Sequence, residues 1–155
     1  MEDKPFDKHK AGFRWGVSLS IIGGVGWLVF IIIWLAFYAS AYPWEKNFAI
    51  FLLSLLVVGI VLGTPWSIWG MKQRTQKEKE MWKIKGFKWR VWFSGVFFIA
   101  IFSFLIYWFW FLAVPYSIYQ NIAVIIVAFL VLGGVMGAMW APWGLKYGDK
   151  FDEEK

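Results

Sequence analysis

Gly63–Lys72 reads GTPWSIWGMK, and Gly137–Lys146 reads GAMWAPWGLK. The two stretches share a Trp-x-x-Trp-Gly core and lie 74 residues apart. Shifted by that offset, the chain matches itself without a gap. Gly12–Trp15 (GFRW) falls on Gly86–Trp89 (GFKW). Phe30, Ile32, Trp34, Phe37, Ala39 and Tyr42 fall on Phe104, Ile106, Trp108, Phe111, Ala113 and Tyr116. Asn47, Ala49, Gly59, Val61, Gly63, Trp66, Trp69, Gly70 and Lys72 recur as Asn121, Ala123, Gly133, Val135, Gly137, Trp140, Trp143, Gly144 and Lys146. Shared apolar composition does not pair Gly, Asn and Trp at one fixed offset. The reading is a duplicated unit.

What is duplicated follows from where charge is missing. The chain of 155 residues is 60% hydrophobic, more apolar surface than a soluble domain of that length can bury. Val17–Ala41, Phe48–Met71 and Val91–Leu145 carry no charged residue, and the last is long enough for two segments with a turn between them. Crossing about 30 Å of hydrocarbon takes about 20 helical residues. Four transmembrane helices are therefore expected, over Val17–Ala41, Asn47–Trp69, Val91–Val114 and Tyr119–Trp143. The runs are continuously apolar, whereas strands of a membrane barrel would alternate. Each unit is a helical hairpin, and the expected fold is an all-α, up-down-up-down bundle of two parallel tandem repeats. The divisions are a basic tail (1–16), a first two-helix repeat (17–71), a basic connection (72–90), a second repeat (91–145) and a tail (146–155). Pro43 in AYPWEKN and Pro115 in VPYSIYQN suit the outer turns, since proline cannot donate a backbone hydrogen bond. The connection reads as a helical extension followed by a loop at Gly86.

Fifteen of the sixteen Lys and Arg lie in the two tails and the connection, and only Lys46 lies opposite. Short flanks rich in Lys and Arg stay cytoplasmic, so both termini are expected inside, in a multi-pass protein of the cell (plasma) membrane. Ala39–Ala41 (ASA) resembles a signal-peptidase site, but the apolar run before it exceeds the usual 7–15 residues, so no cleavage is expected.

Gly59-x-x-x-Gly63 and Gly133-x-x-x-Gly137 place glycines on one helix face at matching positions, where another backbone can approach. The other repeat and a second subunit are equal candidates for the packed helix; the plain alternative is lipid-facing glycine. Gly23–Gly26 (GGVG) has no counterpart, since Phe97–Ala100 reads FFIA. Packing against a bulkier neighbour is expected there, with a cavity for a lipid chain or cofactor as the alternative. Trp15, Trp66, Trp69, Trp82, Trp89, Trp140 and Trp143 gather near the basic boundary, and Trp44, Tyr42, Tyr116 and Tyr119 near the other, as an aromatic belt. Trp27 and Trp110 have no partner in the repeat and are expected to pack in lipid, although a buried indole N–H wants an acceptor. Asn47 and Asn121 are polar residues at the outer turns, expected in N-capping or first-turn roles that satisfy free backbone N–H groups of the return helices, with capping favoured; selection of a permeating solute is the alternative. Lys83, Lys85, Lys88 and Arg90 in the connection are expected to contact anionic lipid headgroups. The bilayer is the expected partner, with other membrane subunits or further copies of the chain, and not nucleic acid.

The spans hold no Asp, Glu, Lys, Arg or His, the groups on which proton-coupled pumps, exchangers and voltage sensors depend. Without cysteine there is no disulfide chemistry. His9, beside Asp7 in the tail, is too shallow to anchor a membrane haem. Ser18, Ser20, Ser54, Thr64, Ser94 and Ser103 lack a base and are expected to bond back to helix carbonyls. The chain therefore reads as non-enzymatic, without cofactor or metal: a structural or accessory subunit or a self-associating scaffold. A small channel or facilitator for a weakly polar solute is the second reading, and a sensory or regulatory module acting through the connection the third.

Overall fold

The structure, a computed structural model, describes residues 5–72 and 76–147, with side chains over 15–71 and 79–147. The tail residues 1–4 and 148–155, Arg74, and the side chains of Asp7 and His9 lie outside what is described. Every regular element among the described residues is helical. The elements are α1 (Pro5–Phe37), a 3-10 turn (Ala39–Ala41), α2 (Trp44–Lys72), α3 (Gln76–Met81), α4 (Phe87–Tyr107), a π-helical turn (Trp108–Leu112) and α5 (Ile118–Tyr147). Four stretches are long and apolar enough to cross a membrane: Trp15–Phe37, Trp44–Met71, Phe87–Leu112 and Ile118–Tyr147. Each tracks an expected span to within a few residues. The first sixteen residues, expected as a tail, are helical over all that is described of them, from Pro5 onward.

The chain divides into two compact units, 1–73 and 74–155. In the first α1 packs on α2, and in the second α4 packs on α5. Both units are thus helical hairpins. Large side chains such as Ile22, Ile32, Leu35, Trp92, Leu130 and Leu145 are exposed, as suits helices that are apolar on all sides and have lipid for solvent.

Local chemistry shapes each hairpin. Pro65 interrupts the bonding of α2, leaving the Val61 carbonyl without its intrahelical donor. The hydroxyls on either side of it turn back, Thr64 Oγ1 to the Ile60 carbonyl at 2.7 Å and Ser67 Oγ to the Gly63 carbonyl at 2.8 Å. In the second hairpin Pro115 forces α4 to end, and the chain leaves through the π turn, whose Ala113 N–H reaches back to the Trp108 carbonyl at 2.9 Å. Between α3 and α4, Gly86 has φ +92°, a left-handed conformation that glycine alone adopts without strain. That is the loop the sequence placed there.

Candidate functional site: clasps and clefts in the two hairpins

The polar atoms of the spans are largely spent on closing the hairpins. Trp34 Nε1 donates to Asn47 Oδ1 at 3.0 Å, and Asn47 Nδ2 donates to the carbonyls of Ala39 at 2.9 Å and Tyr42 at 3.1 Å. One asparagine thus ties helix, turn and return helix together. The same set recurs 74 residues on. Trp108 Nε1 donates to Asn121 Oδ1 at 3.0 Å, and Asn121 Nδ2 donates to the carbonyls of Ala113 at 3.1 Å and Tyr116 at 3.4 Å. Tyr42 stacks on the Trp34 ring and Tyr116 on the Trp108 ring, at 5.8 and 5.3 Å between centroids.

This geometry replaces the expected capping role. A capping side chain accepts from free N–H groups, whereas these amides donate to turn carbonyls. They sit one turn inside the return helix, facing turn carbonyls, of which those of Ala39 and Ala113 also accept the N–H of Tyr42 and Tyr116. The cap of α5 is a capping box instead. Ser117 N–H donates to Gln120 Oε1 at 2.9 Å, and Gln120 N–H donates to Ser117 Oγ at 3.3 Å. The S-x-x-Q in "SIYQ" (Ser117–Gln120) carried that signal.

A second clasp joins the helices nearer their basic ends. Trp66 Nε1 donates to Ser20 Oγ at 2.8 Å, and Trp140 Nε1 to Ser94 Oγ at 3.0 Å. Two tryptophans expected as belt residues are therefore hairpin fasteners, and Ser20 and Ser94 accept an indole proton where a bond back to the helix was expected. Both serines also sit 74 residues apart, a signal present in the sequence. Trp27 finds the acceptor its indole needed, Ser54 Oγ at 3.0 Å, and Ser54 in turn bonds back to the Phe51 carbonyl at 2.8 Å.

The glycines separate into two kinds. A Cβ built on Gly23 would stand 2.6 Å from Leu62 Cδ2, so α1 meets α2 there as the bulky-neighbour reading expected. A Cβ built on Gly59, Gly63, Gly133 or Gly137 meets nothing within 4 Å. Among the described residues, the GxxxG faces pack nothing within their own hairpins. In the connection, Lys83, Lys85 and Lys88 are exposed. Arg90 is half-buried, and its Nε donates to the Met139 carbonyl of α5 at 3.2 Å. Beside that carbonyl, Pro142 leaves the Ala138 carbonyl without a helical donor. Arg90 thus has a structural bond to the return helix of its hairpin.

Among the described residues, each hairpin carries a cleft. The first, about 450 Å³, opens at the basic end between α1 and α2, against Trp15, Gly16, Thr64, Pro65, Trp66, Ile68 and Trp69. The second, about 440 Å³, lies between α4 and α5 and is walled by Ile101, Phe104, Trp108, Val124, Val127, Ala128 and their neighbours. Each coincides with a place where the hairpins differ. At the second cleft Ile101 and Ala128 stand where the first hairpin bonds Trp27 to Ser54. At the first, Gly16 and Pro65 stand where the second hairpin bonds Arg90 to Met139.

Among the described residues no three His, Cys, Asp or Glu come together to hold a metal ion. The Trp143 indole nitrogen is buried with no hydrogen-bond partner among the described residues, its ring set between Phe87 and Tyr147, each at 5.2 Å. The chain matches no known protein family, no curated protein and no solved structure.

Proposed function

We propose that this four-span protein is a non-enzymatic accessory or scaffold subunit of the cell membrane, built by duplication of one helical hairpin. The observation that carries the reading is a division of labour. Polar side chains in the hairpins fasten α1 to α2 and α4 to α5, while the paired glycine faces at Gly59/Gly63 and Gly133/Gly137 stay clear of their own hairpins. Small-xxx-small faces let a neighbouring backbone approach closely, and in lipid such close packing drives helix association. The partner is another membrane subunit or a further copy of the chain. Parallel repeats put both termini and the basic connection in the cytoplasm, where Lys83, Lys85 and Lys88 meet anionic headgroups. No observation favours a permeation path, since the amides of Asn47 and Asn121 are already committed to turn carbonyls and indoles.

A tag inserted after Lys79 serves to test both parts. In intact cells it is expected to react only with reagents that reach the cytoplasm, like tags at either terminus. After gentle extraction it should recover the chain with a second copy or a companion subunit. Gly63→Leu and Gly137→Leu should each reduce that recovery about tenfold, the factor set by roughly 1.4 kcal/mol, within the range of interhelical contacts in membranes, while Val61→Leu leaves it intact. A lone monomer in several mild detergents and in nanodiscs sinks the subunit reading.

A further inference from the structure

The basic end of the second hairpin is drawn together by rings. The centroid of Phe87, the first residue of α4, lies 5.3 Å from that of Trp82 in the connection and 5.2 Å from that of Trp143 in α5. Trp143 in turn lies 5.2 Å from Tyr147, where α5 ends. The bond from Arg90 to the Met139 carbonyl holds α4 on α5 beside them. A single ring therefore separates the end of α5 from the start of α4 and the loop before it.

That end is electrically one-sided. Lys83, Lys85 and Lys88 are exposed, and the first turn of α4 holds no acidic residue. Gly86 supplies no side-chain cap, so the positive end of the helix dipole adds to the three ammonium groups. Between residues 79 and 90 the sequence sets one carboxylate, Glu80, against four lysines and an arginine.

The missing acid follows directly after α5. Residues 148–155, outside the described ones, read GDKFDEEK and hold Asp149, Asp152, Glu153 and Glu154, four of the ten acidic residues of the chain. Glu154 comes seven residues after Tyr147, and an extended stretch of that length reaches about 25 Å at most. That is ample to pass the one ring between Tyr147 and Phe87. Being tethered, the segment meets the lysines at an effective concentration on the order of millimolar.

We infer that residues 149–154 are an internal ligand of Lys83, Lys85 and Lys88, a charge-matched occupant that anionic headgroups must displace before these lysines meet the membrane. The inference rests on the reading that the three lysines contact anionic lipid, and adds the regulation of that contact. Surface ion pairs and lysine–headgroup contacts are of similar strength, each changing an occupancy ratio by up to about fivefold. Neither side dominates, so the anionic content of the leaflet decides.

The test uses the full-length protein in nanodiscs. A water-soluble carbodiimide joins a carboxylate to an amine only where the two are in contact. In phosphatidylcholine it should link Asp152, Glu153 or Glu154 to Lys83, Lys85 or Lys88. Replacing about half of the lipid by phosphatidylglycerol should cut that product about fivefold or more. Mixing isotope-labelled and unlabelled protein should show that the link lies within one chain. A fluorophore on Glu80→Cys, whose backbone carbonyl accepts the Lys83 N–H at 2.9 Å, reports when the loop enters the headgroup layer; the chain has no other cysteine. Replacing all four acids (Asp149→Asn, Asp152→Asn, Glu153→Gln and Glu154→Gln) should lower the phosphatidylglycerol fraction that this entry requires, by about twofold. Absence of the link while the fluorophore still responds overturns the inference alone. So does an unchanged phosphatidylglycerol requirement in the neutralised variant, or a link formed only between chains, which would assign the segment to a second copy. A fluorophore that ignores phosphatidylglycerol in both proteins overturns the headgroup reading itself, and the inference with it.

Discussion

The two hairpins close their outer turns with the same three bonds, yet fill their interiors differently. In the first, an indole at Trp27 reaches Ser54, and Gly23 lets Leu62 lie against the α1 backbone. In the second, the corresponding positions hold Ile101, Ala128, Phe97 and Met136. Residues that touch in one hairpin have changed as pairs in the other. Gly16 and Pro65 against Arg90 and Met139 make a third such pair. The clasps tolerate no such exchange, because a freed turn carbonyl needs a donor whatever surrounds it. Packing contacts need only volume, and volume can be supplied by either helix. That difference separates what the hairpins share from what distinguishes them.

The comparison is most exposed at the clasps. Asn121 is fully buried and Asn47 half-buried. Asn121→Ala strands the Trp108 indole N–H and the Tyr116 carbonyl, while the Ala113 carbonyl keeps the Tyr116 N–H, and should cost about 3 kcal/mol, whereas Asn47→Ala, within reach of water, should cost about 1 kcal/mol. Equilibrium unfolding in mixed micelles measures both, and equal losses would show that burial does not set the cost. The paired exchange comes next. Gly23→Phe should destabilise by about 2 kcal/mol through overpacking against Leu62. Adding Leu62→Met, the residue found at 136, should recover most of it; no recovery would mean that the pairs are not interchangeable. The smallest effect belongs to two neighbouring indoles. Trp140→Phe gives up the bond to Ser94 and should cost about 0.6 kcal/mol, the average for such bonds in membranes. Trp143→Phe removes a buried N–H that has no acceptor among the described residues and should be neutral or slightly stabilising. A larger loss at Trp143 than at Trp140 would reverse the assignment of the two rings.

Much of this was legible before any coordinates. The four spans follow from runs without charge, and the structure moves their ends by only a few residues. Asn47 and Asn121 stand out by recurring at one offset, but their chemistry did not follow from that. Whether an asparagine donates or accepts depends on which groups the turn leaves free, and a 3-10 turn and a π turn free carbonyls. Ser20 and Ser94 were hidden among hydroxyls that commonly bond back to their own helix. Their contact with Trp66 and Trp140 needs the crossing of two helices, although the equal spacing of the two pairs was there to be read. The clefts were invisible because each is made by a residue that is too small, and smallness has no motif. The glycine strips were legible as patterns, and the structure adds that they do not serve their own hairpins.

The shortness of the outer clasp also bears on how the polypeptide comes to be assembled. Trp34 and Asn47 are 13 residues apart, as are Trp108 and Asn121. Closing a loop of about ten residues takes roughly 10–100 ns, while a ribosome adds only about 5–20 residues each second. Each bend can therefore lock as soon as its asparagine emerges, long before the next apolar segment is synthesised. Insertion would then proceed by pre-tied pairs of helices, the first complete before the second begins.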